Sequence, residues 1–158
     1  GGGGGAVAAG RRGGAGVSAA APPAALVRRV LVIRRKALGD VLVTLPSVLR
    51  LARAYPEAAL DLVVERPYAP LVAGLAPSLR VLAWPPPAGE PAACTRRLRG
   101  AGYDLVLDYL GSPRTALWTA LTGARWRVGY DLPGRRWAYN VRVPRSRHGD
   151  VRDRKSVV

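Results

Sequence analysis

Three cations, a glycine and a carboxylate stand within one short stretch, Arg34-Arg-Lys-Ala-Leu-Gly-Asp40. A carboxylate placed beside a substrate hydroxyl can take its proton as that oxygen attacks, and cations next to it can hold anionic groups. Asp40 is therefore the candidate general base. Arg34, Arg35 and Lys36 are candidate anion ligands, and Gly39 permits a tight turn. A carboxylate at a helix start can equally be a cap, worth about 1 kcal/mol, and spacing alone leaves both roles open. Thr44, one helical turn on, can orient a substrate hydroxyl or bond to its own helix. A second locus is Gly111-Ser112-Pro113, whose N–H groups at a helix start form an anion site, with Arg114 projecting from the first turn. Arg135 and Arg136 can extend this basic wall, although adjacent arginines are more often simply solvated.

Other chemistries find little support. The single Cys94 rules out an internal disulfide and a multi-cysteine metal site, and a lone His148 leaves little for zinc or a serine-type triad. No metal and no cofactor are expected. The loop at 34–40 is neither a G-x-G-x-x-G fingerprint nor a P-loop, so nucleotide binding there loses its usual basis. No apolar run reaches the roughly 18 residues that cross a bilayer, and the start lacks the apolar block of a signal peptide. The cytoplasm is the expected compartment.

A chain of 158 residues, 49% apolar and 22% charged, can bury one ordinary core. Its net charge of +15 is spread unevenly: residues 1–29 carry +4, residues 142–158 carry +4, and the stretch 30–141 carries +7. Every basic residue but Lys36 and Lys155 is Arg, and Phe and Met are absent, which fits coding bias from GC-rich DNA as well as selection for charge. The remaining excess fits an anionic partner.

The elements that must position these residues alternate. Val30-Leu-Val-Ile33 is a continuous apolar run, as in a strand buried on both faces of a parallel sheet. Val41, Leu45, Val48, Ala52 and Tyr55 recur at helical spacing until Pro56. Leu60–Val64 predicts a second strand, Arg66–Leu75 a short helix, Val81–Trp84 a third strand and Ala92–Arg99 a helix. Tyr103–Tyr109 predicts a fourth strand, Ser112 and Pro113 cap and open a helix to about Leu121, and Arg127–Tyr130 is a short fifth strand. This order predicts an α/β fold, a Rossmann-like doubly wound parallel sheet with right-handed crossovers and its ligands at the carboxyl ends of the strands. Trp84, Trp118, Trp126 and Trp137 are read as core or interface packing.

Residues 1–27, rich in Gly and Ala without periodic apolar positions, are expected to be disordered and to precede a native start near Leu26 or Val27. Residues 28–147 are expected to form the folded domain. Residues 148–158 are expected to begin a further helix and to end in an artefactual tail, because Asp153-Arg-Lys-Ser-Val-Val158 is what a common sequencing adapter encodes in one frame.

Val30-Leu-Val-Ile-Arg-Arg-Lys-Ala-Leu-Gly-Asp-Val-Leu-Val-Thr-Leu-Pro-Ser-Val-Leu-Arg50 resembles the opening of the ADP-heptose lipopolysaccharide heptosyltransferases of glycosyltransferase family 9, most specifically in its Gly-Asp-Val-x-x-Thr-x-Pro core. Ala54-Tyr-Pro-Glu-Ala58, Tyr103–Leu117 and Leu121–Asp131 resemble the family's following units in the same order, and His148 resembles the histidine opening its interdomain helix. The resemblance covers roughly residues 28–150. It implies a two-domain GT-B fold of which only the acceptor-side half is present, inactive alone, with the ADP-sugar held by the other half. It also implies that Asp40 is the base of an inverting transfer to an anionic, lipid-linked inner-core acceptor. Arg34, Arg35, Lys36, Gly39, Thr44, Gly111, Ser112 and Arg114 would surround that acceptor. Many members carry a serine-containing loop where this chain has Lys36-Ala37-Leu38.

Two other classes compete. A nucleic-acid or polyanion-binding module without catalysis would show a contiguous cationic stripe with exposed aromatics, whereas these arginines are scattered. A nucleotide-binding oxidoreductase domain would need the missing glycine fingerprint.

Overall fold

The computed structural model describes residues 21–84 and 91–145. Pro85–Pro87, His148 and the 148–158 segment lie outside them.

Among the described residues, six parallel strands form one sheet in the order β3-β2-β1-β4-β5-β6, with β1 at Arg29–Ile33, β2 at Ala59–Glu65, β3 at Leu79–Trp84, β4 at Leu105–Asp108, β5 at Trp126–Tyr130 and β6 at Val141–Val143. β1 is hydrogen-bonded on both edges, Val30 standing opposite Leu60 of β2 and Leu105 of β4. Val30 to Ile33 are all fully buried, which is why that run reads as unbroken apolar residues.

Each face of the sheet has its own core. Helices α1 (Leu38–Ala54) and α2 (Ala69–Val72) cover one face, where Val41, Val48 and Val72 meet Val30, Val32, Leu60, Leu62 and Val64. Helices α3 (Pro91–Gly100) and α4 (Pro113–Leu121) cover the other, where Leu98 and Trp118 meet Leu31, Ile33, Val63 and Val106. Trp84 meets Trp118 edge to face at 4.6 Å between ring centres. Chain direction along the sheet reverses between β1 and β4, the point where doubly wound sheets bind ligands.

Four expectations change. α1 begins at Leu38, so Gly39 and Asp40 lie in its first turn and not in the preceding loop. The helix expected over Arg66–Leu75 is a 3-10 turn at Arg66–Tyr68 running into the four-residue α2, because Pro67 and Pro70 lack the N–H a longer helix needs. Residues 21–27 are structured, not disordered: Ala24–Leu26 form a 3-10 turn, Val27 is fully buried, and the Tyr55 hydroxyl donates to the Pro22 carbonyl at 2.9 Å. A sixth strand, β6, follows a 3-10 turn at Arg136–Ala138.

Two buried carboxylates organise the side of the sheet covered by α3 and α4. Asp61, nearer the amino ends of the strands, accepts two hydrogen bonds from Arg80 (2.9 and 2.7 Å) and one from the Tyr103 hydroxyl at 2.5 Å. Asp108, at the carboxyl end of β4, accepts from the Tyr139 hydroxyl at 2.6 Å. The Tyr139 ring lies directly over Gly129, where an added Cβ would fall 2.4 Å from it, so only glycine fits that position of β5.

Burial first, and then the neighbouring carboxylate, pushes both tyrosine hydroxyls well above their ordinary range. The folded state thus holds protons that the unfolded chain releases above about pH 10. Below that pH the contribution to stability is complete, and it is lost as pH rises toward the raised folded values. Denaturant midpoints measured between about pH 9 and 12 are expected to fall. The fall should be shallower when Tyr103→Phe and Tyr139→Phe are combined, and equal slopes would contradict the assignment.

Candidate active site at the carboxyl edge of the sheet

The chain leaves β1 still tied to its neighbours. Arg34 N–H donates to the Val63 carbonyl at 3.0 Å, Glu65 N–H to the Arg35 carbonyl at 2.8 Å and Tyr109 N–H to the Ile33 carbonyl at 3.0 Å. This fixes where Arg34 and Arg35 point, and as consecutive residues at a strand end they diverge.

Arg34 reaches across to β4. Its Nη1 donates to the Tyr109 carbonyl, and its Nη2 lies 3.0 Å from Asp40 Oδ1. The Arg34 side chain is only 16% exposed, whereas that of Asp40 is 59% exposed. The guanidinium is thus a nearly buried bracket joining both sides of the switch point, and Asp40 is an open carboxylate held by one oxygen.

The capping alternative for Asp40 is weak in this geometry. Its Oδ2 accepts from Ala37 N–H at 3.5 Å, the far limit of a hydrogen bond, and Ala37 has no side-chain oxygen to complete a reciprocal box. The contact that holds the carboxylate is the ion pair with Arg34.

Arg35 goes elsewhere. Its guanidinium lies 5.4 Å from the Trp84 ring centre and 5.8 Å from that of Trp118, with Glu65 Oε1 at 3.6 Å. The exposed Arg114 lies 5.9 Å from the Trp84 ring centre, so this arginine of the second locus shares that ring with Arg35. Lys36 is exposed on the loop between them. Thr44 is buried and donates to the Asp40 carbonyl at 2.8 Å, the own-helix alternative. Arg136 pairs with Asp131 at 2.6 Å, and Arg135 donates to the Pro133 carbonyl at 3.1 Å, so both serve their own loop.

The N–H groups singled out at the second locus are already engaged. Gly111 N–H and Leu110 N–H both donate to Asp108 Oδ1 at 3.0 Å, while Ser112 N–H donates to Thr115 Oγ1 at 3.0 Å. Ser112 does cap α4, its Oγ accepting from Thr115 N–H at 3.2 Å. Gly111 is needed for its backbone: φ is +67°, and a Cβ there would sit 3.1 Å from the Leu132 side chain. Asp108 and Tyr139, which shape this loop, were not among the residues singled out. A charged residue inside the run Leu105-Val-Leu-Asp108 was the available signal, since a buried carboxylate must find donors.

Gly39 is not the tight-turn glycine its position suggested. It has no left-handed backbone angle, and a Cβ there would meet nothing within 4 Å. Open space therefore lies over Gly39. Gly39→Ala is expected to raise stability by about 0.5 kcal/mol, within the range for relieving a helical glycine. A lowered urea midpoint in this variant would mean the space is not free.

A cavity of about 300 Å³ opens at the same edge, lined by Leu107, Asp108, Tyr109, Val128, Gly129, Tyr130 and Val143. Among the described residues no group of three or more His, Cys, Asp or Glu could hold a metal ion. No helix among them is long and apolar enough to cross a membrane.

The fold and this edge define an α/β, Rossmann-like domain of the type found in GT-B heptosyltransferases. Three solved structures share it: E. coli ADP-heptose lps heptosyltransferase II (TM-score 0.61, 24% identity, 77% of this chain and 36% of that one), a family 9 glycosyl transferase from Veillonella parvula (0.57, 20%, 76% and 35%), and the E. coli heptosyltransferase WaaC with ADP (0.55, 27%, 80% and 45%). Among curated proteins, the chain is 34% identical over 115 residues to lipopolysaccharide heptosyltransferase 1 of Pseudomonas aeruginosa, a match covering 65% of this chain and 32% of that protein. The chain thus spans about a third of the length of that relative. No family model matches. Sequence and fold together carry the resemblance to the heptosyltransferases of glycosyltransferase family 9.

Proposed function

We propose that this chain is the acceptor-side half of an inverting glycosyltransferase that moves a heptose from ADP-heptose to an anionic, lipid-linked inner-core acceptor in the cytoplasm, at the inner-membrane surface. The observation that carries the reading is the open Asp40 carboxylate at the switch point, gripped through one oxygen by the nearly buried Arg34. In the reaction Asp40 removes the proton from the acceptor hydroxyl while that oxygen bonds to the anomeric carbon and the bond to ADP breaks. Inversion follows from attack on the face opposite the leaving group. At 59% exposed, the Asp40 side chain is open to an acceptor arriving from solvent.

Roles divide by position. Lys36 lies on the exposed loop entering α1 and suits an acceptor phosphate or carboxylate. Arg114 offers a second cation at the edge of the Trp84 ring. Arg34 and Arg35 hold the loop from its two sides, and Thr44 fixes the first turn of α1. The ADP-sugar falls to a second domain, and this chain alone is expected to be inactive.

The test is acceptor-dependent release of ADP from ADP-heptose, with Kdo-lipid A as acceptor, by the polypeptide extended to the length of its relatives. Release only when acceptor is present supports the reading. No release with either substrate, together with salt-sensitive binding of single-stranded nucleic acid by the 158-residue chain, would favour the polyanion-binding alternative.

A further inference from the structure

The outward side of α1 is not the polar surface expected of a helix that covers a sheet. Val41, Thr44 and Val48 face the core. On the opposite ridge Leu42 is 48% and Val43 78% exposed, followed by the exposed Pro46 and then the exposed Arg50 and Arg53. Leu38 is exposed at the start of the same helix, and Leu71 and Leu75 are exposed on and just after α2, which lies on the same face of the sheet. Asp40 is the one acidic residue of α1, and it is paired with Arg34. Apolar side chains therefore lead this ridge and arginines end it.

We infer that this ridge of α1, Leu42-Val43-Pro46 with Arg50 and Arg53, docks on an anionic lipid bilayer. Leu and Val at the surface gain by entering the boundary between headgroups and acyl chains, and arginines beside them gain from the negative surface. Charge decides between a bilayer and a second copy of the chain. At +15, two copies repel one another, whereas an anionic surface attracts each. Asp40 lies one turn or less from Leu42 and Val43, so docking would bring the candidate base close to the headgroup layer. The inference shares with the proposed function only its lipid surface. Its test involves no transfer, so either can fail alone.

The experiment is co-sedimentation of the 158-residue chain with vesicles of phosphatidylglycerol in phosphatidylcholine, and with vesicles of phosphatidylcholine alone. Binding is expected only to the anionic vesicles and should weaken with salt. Leu42→Ser with Val43→Ser should lower the partition coefficient about fivefold, and Arg50→Gln with Arg53→Gln about tenfold or more. Leu117→Ser removes an equally exposed leucine from α4 on the other face and should change nothing. All these side chains are exposed, and matching thermal midpoints confirm that the variants fold. Unchanged binding in the α1 variants would overturn the inference and assign attraction to the basic termini. An equal loss with Leu117→Ser would overturn it as well. So would a ridge whose loss alters sedimentation of the free chain but not its binding to vesicles, because the occupant would then be a second copy.

Discussion

Asp40→Asn, in the polypeptide extended to the length of its relatives, is expected to lower acceptor-dependent ADP release by about 10²- to 10⁴-fold, the usual worth of a positioned general base. The substitution keeps size and shape, and the amide oxygen can still accept from Arg34 Nη2. What it removes is the capacity to take a proton. The KM for acceptor should move little, because Lys36 and Arg114 are the exposed cations offered to its anionic groups. Stability should also move little, since the Ala37 contact at 3.5 Å contributes almost nothing and the carboxylate is 59% exposed. The competing role as helix cap predicts the reverse, with a lowered urea midpoint and transfer unimpaired. Kinetics and denaturation on the same pair of proteins separate the two.

The bracket formed by Arg34 explains how a chain can expose a carboxylate and still hold it. One guanidinium edge is anchored to the backbone of β4, so the other meets Asp40 from a fixed place. This distinguishes Arg34 from Lys36, two residues on. The lysine is exposed and belongs to solvent or ligand, while the arginine belongs to the scaffold. Sequence alone ranked the three cations together because their spacing contains no information about which side of a strand end each leaves from.

What could be read ahead of the structure follows the same logic. Val30–Ile33 and Leu60–Val64 announce buried parallel strands because both faces are covered, and strands alternating with helices permit few topologies. Ser112 and Pro113 mark a helix start through local chemistry that tertiary context does not override. β6 escaped because its three residues include the exposed Arg142 and no periodic pattern can show in so short a span. Gly39 and Gly111 look alike in sequence, yet Gly111 has a left-handed backbone angle and Gly39 does not. The N–H groups at 111 and 112 read as an anion site until the partners inside the chain, Asp108 and Thr115, are known. Asp108 itself closes the apolar run of β4, and a strand pattern does not show which donors its carboxylate meets.

That buried carboxylate carries a large expected effect on stability. Asp108 is 3% exposed and satisfies three donors: Leu110 N–H and Gly111 N–H at one oxygen, and the Tyr139 hydroxyl at the other. Asp108→Ala leaves all three without an acceptor beneath a ring that cannot shift toward Gly129. At about 1–3 kcal/mol for each abandoned donor, and with incomplete additivity, the expected loss is about 3 kcal/mol or more. Asp108→Asn separates the two oxygens. Its amide oxygen can still accept from both backbone N–H groups, but its nitrogen cannot accept from Tyr139, so a loss of about 1–2 kcal/mol is expected. Denaturant midpoints give the totals, and hydrogen exchange at Leu110 and Gly111 gives the location. Protection there should collapse in the alanine variant and persist in the asparagine one. The consequence reaches the candidate base, because the carbonyl that anchors Arg34 is that of Tyr109, the residue between Asp108 and those two amides. If exchange at Leu110 and Gly111 is unchanged in Asp108→Ala, the loop holds itself without the carboxylate, and Asp108 serves only to seat Tyr139.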